Sequence, residues 1–310
     1  MNTSTTTTSP AITSLIPPYL TYCRQNKRLD PKTIKAYRID LTQFAVAIPV
    51  TDINAITPDT IKSHIATLHQ SYKPKTVKRK IASLKAFFSY LEENDIIPAS
   101  PFLRIRTRFR EPLQLPRTIP LSTIEKLLST IYSYHRTAKT DYSRRSSLQA
   151  IAIIELLFAT GIRISELCSI RTDDIDLTNT SLKINGKGKK ERLLHIGNSA
   201  CISALSNYRH EFEEEISASG LFFPISDQVA RRMIRKYCSL ADIEMHITPH
   251  MFRHTFATSL LEADVDIRYI QEFLGHSSIS VTEIYTYVTL KKQREILSTA
   301  HPRTTMKING

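Results

Sequence analysis

Thr248-Pro249-His250-Met251-Phe252-Arg253-His254 sets a histidine and an arginine three residues apart, just behind a threonine-proline pair. Leu274-Gly275-His276 brings another histidine some twenty residues on, and Ile284-Tyr285-Thr286-Tyr287-Val288 brings a tyrosine nine residues after it. Far upstream, Ala159-Thr160-Gly161-Ile162-Arg163-Ile164-Ser165-Glu166-Leu167 carries a second arginine, and Asn185-Gly186-Lys187-Gly188-Lys189-Lys190 a run of lysines. Proline is pre-set for the first position of a helix, so Pro249 opens one. His250 and Arg253 then lie one turn apart and share a face.

In these residues the sequence resembles the tyrosine site-specific recombinases, the phage integrase and Xer group, and the resemblance implies phosphodiester cleavage, whose demands these side-chain types can meet. The nucleophile approaches negative charge, and the transition state gathers more of it on the nonbridging oxygens. Cations must therefore face those oxygens, beside a nucleophile and an acid for the leaving alkoxide. The guanidinium fork matches two phosphate oxygens at once. The motif regions offer no carboxylate cluster for a metal.

The resemblance implies six catalytic positions: Arg163, Lys187, His250, Arg253, His276 and Tyr285. Arg163 and Arg253 would hold the scissile phosphate, and His276 would donate to a nonbridging oxygen. His250 would manage the tyrosine proton. Lys187, 24 residues after Arg163, would protonate the departing 5′ oxygen, with Lys189 and Lys190 as further DNA contacts. Tyr285 would attack, leaving a 3′-phosphotyrosyl link that needs no cofactor to be resealed. Tyr287 is its rival, set aside by the family spacing from His276. Glu166 can simply pair with Arg163 at i+3; the resemblance has it buttress that arginine. Phe252, where leucine is common in the family, is a mild departure.

Two other readings of the same stretches fail. His250 and His254 stand at the i and i+4 spacing of a zinc helix, but Met251 occupies the place of the required glutamate. The glycine-lysine run lacks the order of a nucleotide-binding loop, so no ATP is implied.

Composition points the same way. Among 310 residues, 42 Lys and Arg face 29 Asp and Glu, a formal charge of +13. Residues 1–110 hold 17 basic and 7 acidic side chains; residues 111–310 hold 25 and 22. A basic surface concentrated in one part of a chain is an electrostatic footprint for nucleic acid. Cys23, Cys168, Cys201 and Cys238 are scattered, with no Cys-x-x-Cys pair, which speaks against a zinc ribbon or a disulfide framework. No secretory signal and no membrane-length apolar run is visible, so a cytoplasmic protein is expected.

Residues 1–11, Thr- and Ser-rich, are expected to be disordered. A helical unit over 12–100 follows. It has a short segment from Leu15 to Cys23, then a helix capped by Asp30-Pro31 with Ile34, Tyr37, Leu41 and Phe44 as its stripe. Pro58 opens a third helix with Ile61, Ile65 and Leu68, and Pro74 a fourth with Val77, Ile81, Leu84, Phe88 and Leu91. Lys75, Lys78, Arg79, Lys80 and Lys85 form a one-signed run on the fourth helix, with no acid at four-residue spacing, and are assigned to a phosphate-facing surface. Residues 101–120 make a proline-broken basic linker. In an extended chain its Arg104, Arg106, Arg108 and Arg110 would line one edge.

The second unit covers 121–288. Ser122 and Glu125 have the form of a capping box. Residues 132–146 are polar and read as an exposed loop. Ser147 to Thr160 reads as a buried helix ended by Gly161. Leu182–Ile184 and Arg192–Ile196 read as a β-hairpin. Helices resume at Ser199, and Val229, Met233, Tyr237 and Leu240 predict one apolar stripe. Residues 289–310 are a tail, which in the family docks onto a neighbouring protomer.

The fold expected is therefore mainly α with a small antiparallel β-sheet. The resemblance implies a two-domain, C-shaped DNA clamp, with an N-terminal helical core-binding (SAM-like) domain and a catalytic domain. It implies double-stranded DNA core sites as partner, assembly to a tetramer in the synaptic complex, and a related recombinase or accessory protein as a further partner. A type IB-like topoisomerase and a non-catalytic DNA-binding protein are the competing functions.

Overall fold

The computed structural model describes residues 11–48, 52–103, 105, 107, 117–186 and 191–275. The expectations for residues 1–10, for Arg104, Arg106, Arg108 and Arg110, and for the tail 289–310 lie outside the described residues. The chain divides into two compact units, Met1–Leu113 and Gln114–Gly310. Both are helical, and the second also holds a small antiparallel sheet.

The first unit packs four helices: α1 (Ile12–Gln25), α2 (Pro31–Ala47), α3 (Pro58–Ser71) and α4 (Pro74–Glu93). Three of them begin at a proline. Asp30 caps α2 by accepting from the Lys32 N–H at 2.7 Å. Thr57 and Thr60 exchange side-chain and backbone bonds at the head of α3. Ile34, Leu41 and Phe44 of the expected stripe are buried, with Ile61, Leu68, Val77, Leu84, Phe88 and Leu91 from the facing helices. The core also reaches into the expected linker. Phe102 is buried against Phe88, with ring centroids 5.8 Å apart, and Ile105 packs on the same cluster.

The run on α4 does find an acid, supplied from another helix. Asp40 of α2 is buried and accepts from Arg79, from Lys80 Nζ at 3.1 Å and from Ser83 Oγ at 2.8 Å. Lys80 is itself buried, bonded also to Gln43 and lying 4.9 Å over the Tyr72 ring. It is therefore withdrawn from the phosphate-facing surface. One-helix spacing rules miss a partner that sits on the neighbouring helix. Lys75 and Lys78 remain exposed, and Arg79 keeps much of its side chain in solvent while bonded to Asp40.

The second unit is built around α6 (Asp141–Thr160), which follows α5 (Leu121–Thr137). Ile151, Ile153, Ile154, Leu156 and Leu157 bury almost every face of α6. A helix apolar all round belongs at the centre of a domain. Next come α7 (Ile164–Leu167) and the strands β1 (Ile175–Asp176), β2 (Ser181–Asn185) and β3 (Glu191–His195). The strands pair in the order β1-β2-β3, with Leu182 opposite Leu194 and Ile184 opposite Arg192. The hairpin is as expected; β1, at two residues, is too short to read in sequence. Then follow α8 (Ser199–Glu211), α9 (Glu213–Ser219), α10 (Asp227–Leu240), α11 (Pro249–Glu262) and α12 (Ile267–Leu274).

Three expectations are corrected. The capping box does not form: α5 starts at Leu121 behind Pro120, with no side-chain cap, so Ser122 sits inside the helix. Residues 132–146 are not a loop, because α5 runs on to Thr137 and α6 begins at Asp141. Their polar side chains are spent between helices. Tyr132 donates to Glu155 at 2.9 Å, His135 Nδ1 meets Ser147 Oγ at 2.9 Å, and Arg144 forks onto Glu211 with two bonds of 2.8 Å. Finally, the buried face of α10 is Ala230, Ile234, Tyr237 and Cys238, while Leu240 is exposed. Small Ala230 and Cys238 sit where close packing needs little volume, and a hydropathy stripe gives them too little weight.

Asp40→Ala would leave the Lys80 ammonium buried without its carboxylate. Breaking such a pair costs about 3–5 kcal/mol. Urea denaturation of the full chain, followed by circular dichroism, is expected to show that loss; a change near zero would mean that Lys80 escapes to solvent.

Candidate active site

The site begins where α6 stops. Gly161 takes the left-handed conformation, φ +61°, and ends the helix. A Cβ there would lie 2.5 Å from Phe256 Cδ1, so α11 approaches the turn closely. Two residues on, Arg163 is the N-cap of α7. Its backbone N–H donates to Glu166 Oε2 at 2.8 Å, and its Nη1 donates to Oε1 at 2.7 Å. Arg163 keeps 35 % of its side chain exposed while Glu166 keeps 6 %. The carboxylate is thus the buried anchor and the guanidinium the part that faces outward.

Glu166 has a second partner. Arg192 of β3 donates Nη2 to Oε2 at 2.9 Å and Nη1 to Oε1 at 3.2 Å, and its Nε donates to the Phe273 carbonyl at 2.9 Å. Burial alone would raise the Glu166 carboxyl. The Arg192 hydrogen bonds, the Arg163 backbone N–H and the Arg192 charge together outweigh it and hold the group below the usual carboxylate range.

On α11, Pro249 stands at the first helical position, as expected. His250 is exposed, and Arg253, one turn further on, is buried. Arg253 donates Nη1 to the Gly161 carbonyl at 2.9 Å and Nη2 to the Leu274 carbonyl at 2.6 Å. Gly161 precedes Arg163 by two residues, and Leu274 precedes His276 by two. One guanidinium therefore joins three of the motif segments. His254 is half-buried, and burial, then the His250 and Arg253 charges, push its imidazole down to about 4. It is therefore neutral at physiological pH. Thr255, on the same helix, accepts from the Ile119 N–H at 2.8 Å and so fastens the entry of the second unit to α11.

The structure thus brings together Arg163, Glu166 and Arg253, with His250 one turn from Arg253 on the same helix. Lys187, Lys189, Lys190, His276, Tyr285 and Tyr287 lie outside the described residues; in sequence, the lysines fall between β2 and β3, and His276 follows the glycine that ends α12. Among the described residues, no group of three His, Cys, Asp or Glu side chains is placed to hold a metal, and no helix is long and apolar enough to cross a membrane. Sequence reading missed Arg192. The available sign was strand alternation, which puts Arg192 on the inward face with Leu194.

Residues 122–292 match the model of the phage integrase family, and residues 16–94 match the phage integrase N-terminal SAM-like domain. A tyrosine recombinase of Agathobacter rectalis is 56% identical over 291 residues, covering 92% of this chain and 95% of that protein. The tyrosine recombinase XerD of Listeria monocytogenes is 34% identical over 304 residues, covering 93% and 99%. Among solved structures, the XerH site-specific recombinase in its post-cleavage complex with palindromic difH substrate superposes with a TM-score of 0.73 at 20% identity, covering 92% of this chain and 84% of that one. The lambda integrase tetramer bound to a Holliday junction gives 0.70 at 17%, covering 90% and 78%. At these identities the two structures speak to the fold.

The depressed value of His254 has a signed consequence. The unfolded imidazole protonates near 6.5, the folded one at about 4. The stability linked to His254 is therefore complete above the first value and is lost as pH falls through the second. A His254→Gln variant is expected to lose less stability than the parent across that interval. Ring resonances of His254 that titrate near neutral pH would contradict the assignment.

Proposed function

We propose, for a chain that belongs to the phage integrase family of tyrosine recombinases, a division of labour among its own residues. The protein is a site-specific DNA recombinase: it cleaves and rejoins DNA strands through a tyrosine intermediate. In our reading Arg163 and Arg253 receive the nonbridging oxygens of one phosphate. What supports this is the pair of hydrogen bonds that Arg253 donates to the Gly161 and Leu274 carbonyls, which hold the turn before Arg163 and the end of α12 against α11. Donors fixed before the substrate arrives need no reorganisation as charge develops.

The tyrosine oxygen of residue 285 attacks phosphorus, and the bond from phosphorus to the 5′ oxygen breaks. The phenol proton leaves by way of His250, and Lys187 gives a proton to the 5′ oxygen. A free phenol ionises near pH 10, and adjacent guanidiniums favour its anion. His276 steadies the second oxygen. Reversal with a new 5′ hydroxyl reseals the strand. The phosphotyrosyl bond conserves the energy of the bond that was cut, so rejoining draws on no nucleotide cofactor.

Lys75, Lys78 and the solvent-facing part of Arg79 give the first unit a phosphate-facing surface, and the linker arginines Arg104, Arg106, Arg108 and Arg110 add phosphate contacts of their own. The two units act as a clamp on double-stranded core sites, with four protomers on two synapsed sites and the tail 289–310 docking between neighbours. A related recombinase or an accessory protein is a further partner. Action on DNA places the protein in the cytoplasm.

The chemistry is tested by covalent capture. A randomised pool of nicked duplexes, incubated with the full chain and resolved under denaturing conditions, should yield a protein–DNA adduct whose DNA can be sequenced. Tyr285→Phe must abolish it and Tyr287→Phe must not; equal adduct from Tyr285→Phe would end the assignment. Relaxation of plasmids lacking the captured sequence, without strand exchange, would instead favour a type IB-like topoisomerase. Neutralising the four linker arginines should flatten the negative slope of log binding constant against log salt, by about 0.9 for each lost phosphate contact. An unchanged slope would make the linker a tether only.

A further inference from the structure

Arg192 occupies a place that strand logic gives to an apolar residue. It faces inward on β3 with Leu194 and stands opposite Ile184 of β2. Only 10 % of its side chain is exposed. A guanidinium so buried is costly unless its donors are met. Both arms of its fork meet Glu166, and Nε meets the Phe273 carbonyl. That carbonyl belongs to the last turn of α12, where helix carbonyls lack intrahelical donors and a cation is favoured. Gly275, at φ +63°, completes the fit, because a Cβ there would lie 2.8 Å from Arg192 Nη1.

Counting donors on Glu166 shows what Arg192 adds. Oε1 accepts from Arg163 Nη1 and Arg192 Nη1, and Oε2 accepts from the Arg163 N–H and Arg192 Nη2. A carboxylate offers about four lone-pair sites, and here all are engaged. The carboxylate is held on both oxygens, which restrains the Arg163 guanidinium bonded to it. Charge counting adds a second point. A lone Arg163–Glu166 pair would be neutral, and its carboxylate would oppose an approaching phosphate. With Arg192 the triad carries one net positive charge, and the exposed member, Arg163, is where an anion meets it.

We propose that Arg192 is a positioning residue for DNA cleavage: it locks and neutralises the Glu166 carboxylate so that Arg163 presents its charge to the scissile phosphate, and it fixes the end of α12, from which His276 leads off. This rests on the reading of Arg163 as a phosphate ligand.

The test is single-turnover cleavage by the full chain, on the duplex recovered by covalent capture with the wild-type protein. The same duplex is also made with a methylphosphonate at the scissile position, which removes the negative charge that Arg163 answers. On the natural linkage Arg192→Gln is expected to cleave on the order of 10²-fold more slowly, the loss typical of a misplaced catalytic group. Arg192→Lys, which keeps the charge without the fork, should fall between the two. On the methylphosphonate the deficit of Arg192→Gln should shrink to a few-fold, and Glu166→Gln combined with Arg192→Gln should be less than additive. A deficit equal on both substrates, a wild-type rate in Arg192→Gln, or unfolding of both Arg192 variants by circular dichroism would make Arg192 a structural tie and overturn the proposal. Arg163→Gln is the control. If its own deficit fails to shrink on the methylphosphonate, the phosphate-ligand reading of Arg163 falls instead.

Discussion

A guanidinium buried beneath the surface must find acceptors, and the catalytic unit is organised around where those acceptors are. Arg253 takes the carbonyls of Gly161 and Leu274, both at the ends of helices where backbone oxygens lack intrahelical donors. Arg192 takes the Phe273 carbonyl from the same helix end and the Glu166 carboxylate. Each bond to a carbonyl satisfies a cation and a helix terminus together. The result is that three segments distant in sequence are pinned by side chains that could not be buried any other way. Gly161 and Gly275 are required by this arrangement, since each has positive φ and each would clash with a neighbour if it carried a Cβ.

Polar groups do similar work away from the site. Asp40 collects Arg79, Lys80 and Ser83 and binds α2 to α4 within the first unit. Arg144 and Arg145 both reach Glu211, so the head of α6 is tied to the end of α8. In a chain with +13 formal charge, acidic residues are scarce, and these are placed inside or between helices.

Much of this was legible in the sequence because it is local. The caps at Asp30, the proline starts at 31, 58, 74 and 249, and the stop at Gly161 follow from backbone preferences of a few residues. The pair His250 and Arg253 follows from helical periodicity, and the hairpin from alternation around a glycine-rich turn. What could not be read is set by contacts across the fold. Lys80 looks like one more member of a basic run until α2 brings Asp40 against it. Tyr132, His135 and Arg144 look like loop residues until their partners on α6 and α8 are known. Arg192 sits in an ordinary strand, and only the end of α12 and the Glu166 carboxylate give it a purpose. The capping box failed for a smaller reason: behind Pro120 the helix begins at Leu121, two residues before a Ser122 cap would start it.

Ile105 packs on the core of the first unit, and Ile119 is buried in the second. The chain between these two anchors spans at most about 50 Å when fully extended. If both units hold one duplex, as proposed, each raises the effective concentration of the other at that duplex, to a value set by this span rather than by the solution.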